Sequence, residues 1–336
     1  MKNSLKFHSL IGKFDLYKSP ASVQRIKIFG KNSVQVRHSR NGRYFYTKPL
    51  PPDHQREFVL EKWIKLIKTS SGVDKIKNYV WPVDIVDLRQ TLDDYGAKYA
   101  LLFPLREDLG GYESIGSMLS NLAINARFLD LEVNLEANIK LAKNLIKAWY
   151  DFDDCKYAYH EFSFFNMLIN MENEVMFDFS FSAHEYKEKT DGVIVHMNRI
   201  HPDYTDTYYF QRKSMEMDVI SDYFSMAVIL FRLLIGCLPY QGRLLEGLHN
   251  LTAKDHSDWV KQYHKNPIFI FDSNEDLNRI SSTANPEKYE ERWERLSPLA
   301  KGMFSAIFNT DNVMRKSSPK TLPKFYTPQD WKNLLL

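Results

Sequence analysis

Three side chains stand at intervals suited to metal-bound phosphate chemistry: Glu161, Asn166 and Asp178, a carboxylate, an amide and a second carboxylate. They lie in the runs Tyr159-His160-Glu161-Phe162-Ser163-Phe164-Phe165-Asn166-Met167-Leu168-Ile169 and Val175-Met176-Phe177-Asp178-Phe179-Ser180, whose apolar residues read as short strands. Oxygen-bearing groups carried on such strands form a layout for holding the metal ions of a nucleotide. Mg²⁺ takes one or two protein carboxylates and completes its shell with phosphate oxygens and water.

The whole chain can support such a site. Its 336 residues, 44% hydrophobic and 26% charged, lie in the globular range and are enough for a substantial core. Cys155 and Cys237 are far apart and match neither a disulfide framework nor a zinc spacing, so a reducing, cytoplasmic setting is expected. The start, Met1-Lys2-Asn3-Ser4-Leu5-Lys6, has no apolar leader. The longest apolar run, Phe224 to Leu238, is interrupted by Arg232 and falls short of the roughly 20 residues that span a bilayer. A soluble protein without a membrane span is expected. Residues 1–68 carry 15 Lys and Arg against 4 Asp and Glu. Such an excess would attract nucleotide phosphate, an acidic partner or an anionic surface, but the charges are scattered and read first as a solvated face, and they lack the interleaved aromatics that would favour a nucleic acid as partner.

Residues 1–20 show no clear period and read as an irregular extension or an edge segment. Alternation around Val23–Phe29, Ser33–Arg37 and Arg43–Lys48 predicts three antiparallel strands, with Asn41-Gly42 as a hairpin turn before the third. Pro51-Pro52-Asp53 ends the last strand and caps a helix through residues 54–67, with Phe58, Leu60, Ile64 and Ile67 on its apolar face. Further strands are expected around residues 81–87 and 98–105. A helix capped by Asn134 carries Leu135, Ile139, Ala142, Leu145, Ile146 and Trp149 at helical spacing and leads into the Tyr159 run.

The ordered set of motifs resembles the protein kinase superfamily, and in particular diverged bacterial Ser/Thr kinase-like proteins. The kinase catalytic loop H-R-D-L-x-x-x-N places Asp and Asn five residues apart, the interval between Glu161 and Asn166, and Asp178-Phe179-Ser180 stands where D-F-G follows. Ser221-Asp222-Tyr223-Phe224-Ser225-Met226 through Gly236-Cys237-Leu238-Pro239-Tyr240-Gln241-Gly242 resembles the kinase S-D-x-x-S-x-G helix and its exit. Trp81-Pro82, Phe103-Pro104-Leu105, Asn266-Pro267-Ile268-Phe269-Ile270-Phe271-Asp272 and Asn278-Arg279 look like elements of the bacterial group.

The resemblance implies a two-lobed α+β fold: an extension over residues 1–20, a small antiparallel-sheet lobe over 21–105 and a larger helical lobe over 106–336. It implies ATP and Mg²⁺ as cofactors. Glu161 would orient the acceptor hydroxyl, and Asn166 and Asp178 would hold the metal. Lys48 would contact the phosphates with Glu61 as its helix partner, Glu57 lying one turn away as the alternative. Gly30 would approach the phosphates, and Leu102, Phe103 and Leu105 would flank adenine at the hinge. Asp222 would be buried and hydrogen-bond the catalytic-loop backbone, a role that can coexist with plain helix capping.

The chain departs from the family pattern at Glu161 for Asp, at Ser180 for Gly, at a loop that keeps only Gly30, and in lacking A-P-E. Three readings follow, an active Ser/Thr phosphotransferase acting on a protein or peptide, a kinase-fold enzyme acting on a small molecule or peptide rather than a protein, and a pseudokinase serving as a scaffold for a protein partner.

Overall fold

The structure, a computed structural model, describes residues 6–10, 16–18, 26–28, 31–33, 35–38, 44–50, 57–68, 78–87, 98–104, 112–116, 135–195, 202–212, 216–245, 253–272, 278–280, 286–314 and 324–335. Its first half is built from short strands: β1 (Lys6–Ser9), β2 (Leu16–Lys18), β3 (Ile26–Ile28), β4 (Lys31–Ser33), β5 (Gln35–His38), β6 (Tyr44–Pro49), β7 (Asp84–Asp87) and β8 (Tyr99–Pro104). Every pairing among them is antiparallel. β1, β2, β5, β6, β8 and β7 hydrogen-bond in that order, and β1 closes the ring against β7. Closure leaves no unpaired edge along those strands.

The pairing differs from the sequence expectation at the start of the chain. Residues 6–9 and 16–18, which carry no alternating pattern, are barrel strands; three or four residues are too short a run for a period-2 signal to stand out. β3 folds directly onto β4, with Ile28 opposite Lys31, so its hydrogen bonds are used locally and β5 pairs with β2 instead. β5 and β6 pair antiparallel with Arg37 opposite Tyr44, a register two residues away from the one a two-residue Asn41-Gly42 turn would give, and Asn41-Gly42 itself lies outside the described residues.

Helix α1 (Glu57–Lys68) turns Leu60 and Ile67 into the core and packs Trp63 and Ile64 against it. Asp53, its expected cap, lies outside the described residues. Helix α2 (Leu135–Asp154) buries Leu141, Ala142, Leu145, Ile146, Trp149 and Phe152 along one stripe. Beyond α3 (Thr207–Arg212) runs α4 (Val219–Ile235), in which every residue except Arg232 is buried. A helix that is apolar all round belongs in a core or a bilayer. Here it is enclosed: Phe231 packs on Phe269, Phe304 and Phe308, and α2 lies alongside. Among the described residues no helix is long and apolar enough to cross a membrane.

Glycine is required where α4 ends. Gly236 adopts φ 106 and donates its N–H to the Arg232 carbonyl at 2.9 Å, a left-handed C-cap that a side chain would strain. At Gly242 a Cβ would stand 2.2 Å from the carbonyl oxygen of Asn278. That approach lets Asn278 stitch the Pro239-Tyr240-Gln241-Gly242 exit to the 266–272 run: Nδ2 donates to the Tyr240 and Ile268 carbonyls, and Oδ1 accepts from Leu244 N–H. Helices α5 (Ala253–Lys265), α6 (Pro286–Arg295), α7 (Pro298–Phe308), α8 (Thr310–Val313) and α9 (Pro328–Leu335) complete the helical part, with α9 packed on α2.

Candidate functional site

The middle of the chain adds β9 (Glu113–Ser114), β10 (Tyr157–Ala158), β11 (Met167–Ile169), β12 (Val175–Phe177) and β13 (His184–Glu185). β11 and β12 form an antiparallel hairpin in which Met167 faces Phe177, Leu168 faces Met176 and Ile169 faces Val175. Continuing that register by one step sets Asn166 opposite Asp178, and Asp178 N–H donates to the Asn166 carbonyl at 2.8 Å. An amide and a carboxylate that the sequence separates by twelve positions thus become neighbours because of strand pairing. Asn166 Nδ2 then reaches back to the Glu161 carbonyl at 2.7 Å and closes the turn that carries the first carboxylate. Glu161 and Asp178 are both buried, and Asn166 is partly exposed.

That turn is fastened from below by α4. Asp222 is buried, and its carboxylate accepts the N–H groups of Tyr159 at 2.5 Å and His160 at 2.8 Å. His160 adopts φ 63, a left-handed conformation that is unfavourable for a residue with a side chain and that needs support from its surroundings. Two main-chain bonds to one carboxylate give that support, Tyr159 N–H to Oδ2 and His160 N–H to Oδ1, with the His160 ring also beside Oδ1 at 3.3 Å. The expected backbone role of Asp222 is therefore present. The capping role belongs to another residue: Asp218 accepts from Ile220 and Ser221 N–H as the N-cap, and Asp222 sits in the first turn. The His160 and His184 rings stack 5.1 Å apart, and burial, then His160, holds His184 below the usual imidazole range.

Residues 178–180 are held at every main-chain step. Asp178 Oδ1 accepts Phe179 N–H at 2.8 Å, and the Tyr159 hydroxyl donates to the Asp178 carbonyl at 2.6 Å. The Tyr79 hydroxyl accepts Ser180 N–H at 2.9 Å and donates to the Ser180 carbonyl at 3.2 Å. Burial pushes both phenols well above their usual range, so they stay neutral donors. Just upstream, Phe177 bonds through its main chain to Asn78 and Val80 at 2.8 and 2.9 Å. The Phe179 ring lies among Trp63 of α1, Phe103 of β8 and Tyr79, with centroids 5.5, 5.1 and 6.0 Å away. Serine at 180 is accommodated because its hydroxyl is used: it donates to the Tyr159 carbonyl at 3.1 Å and accepts Ser182 N–H at 3.0 Å.

Tyr79 and Ser182 escaped the sequence reading, since neither belongs to a motif. The available signal was weak: a tyrosine inside the run Asn78-Tyr79-Val80-Trp81-Pro82 needs a hydroxyl partner once buried. Tyr79→Phe keeps the ring and orphans both Ser180 groups, so about 1–3 kcal/mol of stability should be lost. Urea unfolding measures this, and faster hydrogen exchange at the Ser180 amide locates it. Unchanged stability and exchange would show that the hydroxyl contributes nothing.

The remaining expected site residues are placed unevenly. Lys48 stands on β6 opposite Leu101, within the barrel wall that also carries Phe103. Leu102 and Phe103 are fully buried; the Leu102 carbonyl accepts Val83 N–H at 2.8 Å, so that oxygen serves the sheet. Glu61 is exposed on α1, because the helical turn that sends Leu60 inward carries its neighbour outward. Gly30 and Leu105 lie outside the described residues. Among the described residues no group of three or more His, Cys, Asp and Glu side chains converges as a metal cage. Asn166 and Asp178 offer an amide oxygen and a carboxylate, the oxygen donors that a hard cation such as Mg²⁺ accepts. Comparison with models of known protein families finds no match, and comparison with curated proteins finds none either.

Proposed function

We propose that the chain is an ATP- and Mg²⁺-dependent phosphotransferase of the Ser/Thr protein kinase type, acting in the cytoplasm on a protein or peptide hydroxyl. In this reading the β-barrel with α1 is the small lobe and the helices from α2 onward form the large one. The observation that carries it is the pairing of Asn166 with Asp178 by hairpin register, together with the Asp222 carboxylate that fastens the turn bearing Glu161. Asn166 and Asp178 would hold Mg²⁺, which when bound neutralises charge on the phosphates. Glu161 orients the acceptor hydroxyl and takes its proton. Lys48 binds the phosphates, and the stretch from Leu102 through Phe103 to Leu105 flanks the base. The exposure of Glu61 favours a second reading, in which Glu61 does not partner Lys48 and the chain is a pseudokinase scaffold for a protein partner; the first reading then keeps Glu57, one turn away, as the partner.

Calorimetric titration of ATP with and without Mg²⁺ tests the proposal. Mg²⁺ should tighten binding to the wild type, and Asp178→Ala should abolish that dependence, with a lower metal-free melting temperature because Phe179 N–H loses its buried acceptor. Equal ATP affinity in the two proteins with Mg²⁺ present would remove the metal assignment.

A further inference from the structure

The Glu161 carboxylate already carries a hydroxyl. Ser182 Oγ donates to Glu161 Oε1 at 3.2 Å, and both residues are buried, Glu161 being 4% and Ser182 8% exposed. The serine is held there from both sides. Its N–H is taken by Ser180 Oγ at 3.0 Å, its carbonyl lies 3.3 Å from His184 Nδ1, and His184 and Glu185 are tied to β10 through the β13 pairing. We propose that Ser182 occupies the acceptor-hydroxyl position of the site, so that the chain competes with its own substrate for Glu161. The inference rests on reading Glu161 as the group that orients the acceptor.

The chemistry is that of any hydroxyl acceptor. A carboxylate oxygen that positions one aliphatic alcohol for deprotonation binds another in the same way, and at Glu161 Oε1 the two contend for one place. A hydroxyl built into the chain is present at high effective concentration, so an outside alcohol must displace it. Such competition raises the KM for the acceptor and leaves kcat unchanged, because a bound acceptor has already displaced the serine.

The test uses the full chain with Mg²⁺ and ATP, and casein as the hydroxyl acceptor. Ser182→Ala should lower the KM for casein by about tenfold, the scale of a hydrogen bond to a charged group, with kcat and the KM for ATP unchanged. ATP hydrolysis, with water as acceptor, should rise by a similar factor. Ser182→Thr retains a hydroxyl and should behave as wild type. A serine that only braces the fold predicts a lower melting temperature and no separation of KM from kcat. The proposal is overturned if Ser182→Ala matches wild type in KM and hydrolysis, or transfers less, while both proteins bind Mg²⁺ and ATP in the titration. Absence of binding in both would overturn the phosphotransferase reading and this one with it, and the titration tells the two failures apart.

Discussion

Asp222→Ala is expected to lose about 2–6 kcal/mol of stability, the cost of leaving two buried N–H donors without their acceptor. The loss has identifiable parts. Two main-chain N–H groups, of Tyr159 and His160, lose their acceptor in a place where water does not reach, and each orphaned donor costs about 1–3 kcal/mol. The left-handed turn at His160 loses what holds it. Asp222→Asn keeps one oxygen able to accept one of the two bonds and should show roughly half the effect. Urea unfolding followed by circular dichroism measures both variants. A loss below about 1 kcal/mol for the alanine variant would mean that the turn finds other acceptors and that the carboxylate does not set its shape.

The second large effect is on activity. Glu161→Gln keeps size and hydrogen-bonding ability but removes the charge that accepts the proton, so phosphoryl transfer should fall by about 10²–10⁴-fold. ATP affinity should stay the same, because in the proposed site this side chain faces the acceptor and not the phosphates. Radiolabelled transfer from ATP, run under one set of conditions for wild type, Glu161→Gln and Glu161→Asp, decides the matter. Robust wild-type transfer that survives Glu161→Gln removes the proposed role. A silent wild type that Glu161→Asp revives favours the scaffold reading, since the extra methylene of glutamate displaces the carboxylate by roughly 1 Å and misplacement on that scale costs about 10²-fold.

What the sequence made legible depended on how local each signal was. The strands flanking Asn166 and Asp178 could be read because their side chains are continuously apolar, and the α4 helix because its apolar run ends at a glycine and a proline. Asp222 was singled out by the likeness of its run to the kinase S-D-x-x-S-x-G helix, and in the structure a specific partner, the Tyr159 turn, makes its burial tolerable. The choice of cap was not legible: Asp218 and Asp222 lie one turn apart, and only the chain path before Val219 decides which one the first N–H groups meet. Glu61 was chosen by likeness of a short run, whereas its exposure follows from which side of α1 meets the barrel, and that is a tertiary choice. The strands at residues 6–9 and 16–18 were missed because pairing partners, supplied by β5 and β7, make them strands more than any preference of their own.

The clasp between Tyr79 and Ser180 has a consequence for how the protein is made. Its partners are 101 residues apart, and the bonds from Asp222 to the Tyr159 turn span 62 and 63. Loops of that length close slowly, and little repays the lost chain entropy until the contact forms. During synthesis the Tyr159 turn therefore acquires its two carboxylate bonds only after α4 has emerged, whereas the partners named for residues 178–180 all precede that helix. The β5–β6 pairing closes a loop of only a few residues and can form earlier, so on the ribosome sheet pairing begins before the turn that carries Glu161 is fastened.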